Sequence, residues 1–240
     1  MSSDRLSLTP PYVPTRTLSQ VVAAVFVLGA VVSWIAAGYD LGEIRVVSSI
    51  QSGESLEPAE RLAHAKAGTI LGWAQSLMAV FLAAAFLPWL YRMRANVRSL
   101  GAAGMRFRRG WTVLAFLIPG LNCWRPYQVV NEIWRASDPD ARAPLDWQSV
   151  PSFRLVLAWW CALLAWLLLE ALSGLTLQFA SDLRSIQIAY GVSLVADACA
   201  AVSASLGYFL VNGIQSAQEA KAALSEPSYA PDFRGANVPA

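Results

Sequence analysis

Residues 110–127 read GWTVLAFLIPGLNCWRPY, and the reading of this stretch decides the fold. Its apolar part, Gly110 to Trp124, is 15 residues long, sits between Arg109 and Arg125, and is interrupted by Pro119-Gly120. A membrane-spanning helix needs roughly 20 apolar residues at about 1.5 Å each, so this run is too short to cross a bilayer comfortably. Irregular backbone at membrane depth must be covered by protein. The stretch is therefore expected to be a re-entrant or interfacial segment docked against its neighbours.

On either side lie longer runs. Thr17 to Tyr39 is 23 residues without a charge, and Ala67 to Tyr91 is 25. Leu155 to Ser181 is 27 residues with one charge, Glu170, and Ser185 to Gln218 is 34 with one, Asp197. Each is long enough to span. The sequence thus predicts an all-α integral membrane protein with four transmembrane helices, at about 18–39, 67–91, 155–179 and 186–212, and an interfacial segment over 110–137 between spans two and three. A tail over 1–17, with the extended stretch Pro10-Pro11-Tyr12-Val13-Pro14, leads into this 18–218 domain. A tail over 219–240, ending in a Pro-, Ser- and Ala-rich stretch, follows it and is expected to be disordered.

Composition agrees. Of 240 residues 56% are hydrophobic and 14% charged, with a mean hydropathy of +0.44, against about 25% charged in an average soluble domain. A net charge of +2 argues against a nucleic-acid partner. Cys123, Cys161 and Cys199 are isolated, as small buried hydrophobes would be, and form no disulfide or zinc pattern. His64 is the lone histidine, which leaves no room for a histidine metal centre or a Ser-His relay. No metal, cofactor or catalytic residue is expected, and the protein is read as not an enzyme.

Arginine placement sets the expected orientation. Ten arginines lie between Arg92 and Arg154, and the tails add Arg5, Arg16, Lys221 and Arg234, against Arg45, Arg61, Lys66 and Arg184 in the other two loops. By the positive-inside rule both termini and the central segment are cytoplasmic, in a multi-pass protein of the plasma (inner) membrane. An even number of spans is required for this, a second argument against a crossing by 110–124. The first apolar stretch is longer than a signal-peptide core and reads as an uncleaved helix.

Local signals refine the picture. Leu41, Ile44, Val47 and Ile50 recur at helical spacing, so the loop from Asp40 to Lys66 is expected to fold back as short helices. Glu57-Pro58-Ala59-Glu60 is a helix start, with proline in the first turn and acids at the positive dipole end. One long helix should run from about Pro58 to Leu100, kinked near Pro88 and stopped by Gly101. Asn122 can cap, and Pro126 begin, a helix to about Ala136. Pro126, Val129, Ile133, Tyr127, Val130 and Trp134 form its apolar face, with Arg125, Gln128, Glu132 and Arg135 elsewhere, as in a helix at the interface. Trp147 is a further candidate anchor.

Two stretches, ANVRSLG (95–101) and GWTVLAFLIPGLNCWRPYQVVNEIWRASDP (110–139), closely resemble the core of the domain of unknown function 4328 family. The resemblance reaches about three quarters of the chain and implies a bacterial multi-span membrane protein. Its signature falls on Asn96, Arg98, Leu100, Gly101, Gly110, Trp111, Pro119, Asn122, Trp124, Arg125, Pro126 and Tyr127, with Cys123 where an aliphatic residue is expected. It supplies no reaction, substrate or cofactor. The residues themselves admit two readings. In one, Pro119 and Gly120 turn the chain, Asn122 satisfies backbone groups, and Trp124 and Tyr127 anchor it. In the other, Asn96, Arg98, Asn122 and Arg125 converge on a lipid headgroup, beside the basic cluster Arg106, Arg108 and Arg109.

A second candidate site is intramembrane. Glu170 and Asp197 lie at equal distance from the turn near Leu183-Arg184, hence at matching depth in an antiparallel hairpin. They could share a proton or hold a cation, or pair with Gln75, Ser76 or Ser193 as helix glue. Ala196, Ala200 and Ala204, with Ser193, Ala201 and Ser205, favour close helix packing within the chain, in a homo-oligomer or against another membrane protein. The expected function is a non-enzymatic scaffold or a protein that binds membrane lipids or a partner. The alternative is a small proton- or cation-coupled transporter or channel-like protein using Glu170 and Asp197.

Overall fold

The computed structural model describes residues 11–225. Six α-helices follow in order: α1 Arg16–Gln51, α2 Pro58–Ser99, α3 Trp111–Leu117, α4 Arg125–Ala136, α5 Arg154–Gln178 and α6 Leu183–Ser225. Short 3-10 turns at Leu121–Cys123 and Asp146–Gln148 complete the set. The described residues form no strand. Four helices, α1, α2, α5 and α6, are long and apolar enough to span a membrane. Their exposed surface carries the apolar side chains expected to face hydrocarbon, among them Trp34, Ile70, Trp73, Val80, Leu168 and Phe209.

Residues 110–124 do not span. α3 has seven residues, about 10 Å of helix, and Gly120 at φ +80° then turns the chain. Thr112 and Ala115 are fully buried, and Phe116 packs edge-on against Phe86 of α2 and Trp160 of α5. α2 runs without interruption through Pro88, and Gly101, at φ +88°, follows its end. At its start the Glu57 amide donates to Glu60 Oε2 at 3.1 Å, as half of a capping box.

Several expectations are corrected. α1 does not end near Tyr39 but continues to Gln51, because the helical spacing from Leu41 to Ile50 extends the first span instead of forming separate short helices. α6 reaches Ser225, so residues 219–225 are helical; Gln218 and Lys221 are buried against the arginine-rich end of the bundle and hold that last stretch. The remainder of the C-terminal tail, and residues 1–10, lie outside the described residues. Asn122 does not cap α4: it sits in the 3-10 turn, and Trp124 occupies the cap position. Cys123 and Cys161 are exposed instead of buried.

The helices pack unevenly. α6 packs closely along α1 and α5, whereas the backbones of α2 and α5 stay apart and the two helices meet through side chains such as Phe86 and Trp159. Small residues permit the close approach, with Ala196, Ala201 and Ala204 buried and Gly207 seated against the Phe26 ring. Below them, at the arginine-rich end, a continuous core of Trp89, Leu90, Met93, Val97, Val129, Val130, Ile133, Leu210 and Ile214 joins α2, α4 and α6.

Candidate functional site

Residues at the arginine-rich end assemble a cap with its own hydrogen-bond network. Asn96 is clamped to the N-terminal stretch, donating through Nδ2 to the Val13 carbonyl at 2.9 Å and accepting the Val13 amide at 3.3 Å. Arg94 of α2 donates through Nη2 (2.7 Å) and Nε (3.0 Å) to the Phe107 carbonyl. Glu132 of α4 accepts the amides of Arg106 and Phe107. Sequence periodicity had put Glu132 off the apolar face, yet it is 6% exposed. The loop inserts its amides there, and periodicity within α4 carries no record of the loop. Burial pushes the Glu132 carboxyl above its ordinary range, opposed by the two amides and by the Arg94 and Arg106 charges.

The other motif residues do not converge with Asn96. Arg98, Pro119, Asn122 and Trp124 are exposed, and Pro126 is buried at the start of α4. Arg125 stacks its guanidinium near the Phe107 and Trp111 rings, at 5.6 and 6.0 Å from their centroids, and donates to Gln128 Oε1 at 3.1 Å. Tyr127 packs partly buried on the core. Trp147 is not a lipid anchor: it is buried under the cap, and its Nε1 donates to the Ala103 carbonyl at 2.8 Å. The signature is largely the hardware of the cap. Arg94 and Glu132, which hold its central loop, were missed because each is a single charge whose partner is backbone distant in sequence.

The intramembrane site is larger than a pair. Gln75 of α2 donates through Nε2 to Asp197 Oδ1 at 2.7 Å. Asp197, 2% exposed, lies within electrostatic reach of Glu170 on α5 and of Asp40 on α1, so the four long helices meet at one polar level. Asp40, 5% exposed, lies near Ser193, and its Oδ2 accepts no hydrogen bond. Glu43, one turn further along α1, meets His64 Nδ1 at 2.6 Å, and Tyr39 donates to the His64 carbonyl at 3.1 Å. Glu170 itself is exposed on the bundle surface, so the two predicted acids differ in burial while sharing a level. Sequence inspection missed Asp40, which ends the charge-free run of span one and was assigned to a loop. Among the described residues no group of His, Cys, Asp and Glu side chains has the arrangement of a metal site.

Between this polar level and the cap is an apolar cleft of about 330 Å³. It is lined by Phe26 and Ser33 of α1, Gln75, Ala79 and Phe86 of α2, Phe116 of α3, Trp159 and Trp166 of α5, and Ala200 of α6, among others. α2 and α5 meet across the cleft through Phe86 and Trp159, with ring centroids 5.7 Å apart, and the exposed lining residues Ala79, Ala83 and Leu117 place a mouth of the cleft on the lateral surface of the bundle. Gln75 belongs both to its wall and to the acid cluster.

No curated protein sequence and no solved structure matches this chain. The family model described as Domain of unknown function (DUF4328) does match, over residues 53–216, which takes in α2 to α5 and most of α6, with two of the four acids, Glu170 and Asp197, and the chain belongs to that family.

Proposed function

We propose that this is a non-catalytic membrane protein that binds membrane lipid, with a lipid chain seated in the cleft among α1, α2, α5 and α6. The cleft carries this reading. A cavity of about 330 Å³ is at the small end of ligand pockets, about 300–1,000 Å³, and its wall is almost wholly aliphatic and aromatic. The lateral mouth of the cleft faces hydrocarbon, so a lipid chain is the molecule that meets it. In this reading the arginine-rich cap is cytoplasmic in the plasma membrane, with Arg98, Arg108 and Arg109 near anionic headgroups, each worth about 1 kcal/mol.

Native mass spectrometry of the protein released from lipid nanodiscs tests it. Ala79 is an exposed lining residue, so Ala79→Trp fills the cleft without disturbing the core. Wild type should retain a bound lipid that Ala79→Trp loses, and a wild-type protein free of lipid would overturn the proposal.

One observation favours a second reading, a proton- or cation-coupled transporter. Asp40, Glu43 and Asp197 are buried, and the ion pair found for them is Glu43 with His64. Buried acids without basic partners must be compensated by protons or cations. Proton flux into liposomes, abolished by Asp197→Asn, would favour transport over simple lipid binding.

A further inference from the structure

We infer that the cleft and the acid level beyond it form one site for a cationic amphiphile, with the apolar body among the aromatic side chains and a terminal ammonium at Asp197 and Glu170. The inference rests on the lipid-binding reading of the cleft and names the chemical class of its occupant.

The geometry joins the two parts. Ala200 lines the cleft, and Asp197 lies three residues before it on α6, about 4.5 Å by helical rise. Gln75 lines the cleft and hands its Nε2 to Asp197 Oδ1, so the carboxylate stands directly behind the cleft wall. Glu170 is exposed on α5, whose Leu163 and Trp166 line the same cleft, and it brings a second carboxylate to the same end of the cleft.

The charge inventory selects the ligand. Asp40, Glu43, Glu170 and Asp197 act on one another electrostatically. Among the described residues, the only ion pair at this level is the one between His64 and Glu43. Asp40, although 5% exposed, leaves Oδ2 without a donor, a buried acceptor that the site itself does not satisfy. A phosphate or carboxylate headgroup would be repelled here. An ammonium is attracted by the carboxylates, and Trp166, one turn before Glu170 on α5, brings an aromatic ring, whose face attracts cations, to the same end of the cleft. The class of ligand is therefore an alkyl or aryl chain ending in an amine.

Full-length protein in phosphatidylcholine nanodiscs is equilibrated with dodecylamine, cationic at neutral pH, or with dodecanol, the neutral chain of equal length. Retained ligand is then counted by native mass spectrometry. Wild type should retain the amine roughly tenfold more tightly than the alcohol, a difference of about 1.4 kcal/mol. Glu170→Gln, at an exposed position that leaves the fold intact, and Asp197→Asn should each reduce amine binding without changing dodecanol binding. Ala79→Trp should reduce both. Equal retention of amine and alcohol, unaffected by Glu170→Gln and Asp197→Asn but lost in Ala79→Trp, would overturn the cationic assignment and leave the lipid cleft standing. Retention of neither chain, or retention indifferent to Ala79→Trp, would overturn both.

Discussion

Removing the Glu132 side chain tests whether the cap is held together by one carboxylate. Glu132 accepts the amides of both Arg106 and Phe107, and Arg94 holds the Phe107 carbonyl from the opposite side. In Glu132→Ala two backbone N–H groups lose their acceptor at a site where the side chain is 6% exposed. Each buried donor left unpaired costs about 1–3 kcal/mol, and water entering the space left by the side chain recovers part of this, so a loss of about 2–4 kcal/mol is expected. For a chain of this size that is roughly 5–15 °C in the thermal midpoint. The buried Arg94 guanidinium also loses a nearby opposite charge, which adds to the loss. Glu132→Gln keeps one acceptor oxygen but presents an NH2 to the second amide, and should fall between wild type and alanine. Differential scanning fluorimetry in nanodiscs measures the midpoint, and amide hydrogen exchange at Arg106 and Phe107 localises the change. A midpoint within about 2 °C of wild type in Glu132→Ala, with those amides still protected, would refute the account.

Two further outcomes follow from the packing and from one helix terminus. A Cβ at Gly207 would overlap the Phe26 ring, so Gly207→Val should push α1 from α6 and destabilise by about 1–3 kcal/mol, whereas Gly191→Ala, in open space on the same helix, should be close to neutral; thermal midpoints in nanodiscs compare them. Asp182 accepts the Ser185 amide at 2.6 Å at the start of α6, and that bond lowers its carboxyl below the usual range. Its stabilisation is complete above the unfolded value and is lost as the pH falls through the folded one, so the protection factor of the Ser185 amide, its exchange relative to the intrinsic rate at each pH, should fall on acidification in wild type and be low at every pH in Asp182→Ala.

The fold was legible in the sequence because hydrocarbon imposes a length rule that needs no tertiary information. Four uncharged or singly charged runs gave four long helices, and Pro119-Gly120 ruled out a fifth. Local chemistry was equally readable where it acts within a few residues, as at Glu57 to Glu60 and Gly101. Interactions between distant segments were not readable. Asn96 stands in a motif that suggests a ligand, but its amide is spent on Val13, 83 residues away. Glu132 is polar and so was placed on the outer face, whereas the loop that requires a buried acceptor lies 25 residues earlier. Asp40 closes a charge-free run and was read as the start of a loop; only the continuation of α1 to Gln51 brings it inside the bundle.

The same division explains where a ligand can enter. All the buried residues of α2 fall between Phe86 and Val97, within the cap. The preceding stretch, Pro58 to Ala85, is about 42 Å of helix without a single buried side chain. Its polar ties to the rest of the bundle run through His64, to Glu43 and Tyr39, and through Gln75 to Asp197. A helix fixed at one end and tied by few bonds along the rest opens locally at low cost, because local stability follows the density of buried contacts. The Gln75 to Asp197 bond is at once such a tie and the boundary between cleft and acids. A cation that takes over Asp197 would release Gln75 and free the upper part of α2. Occupancy of the cleft and the freedom of α2 are coupled through that bond, so amide exchange along residues 64–80 should rise when dodecylamine binds and stay unchanged with dodecanol.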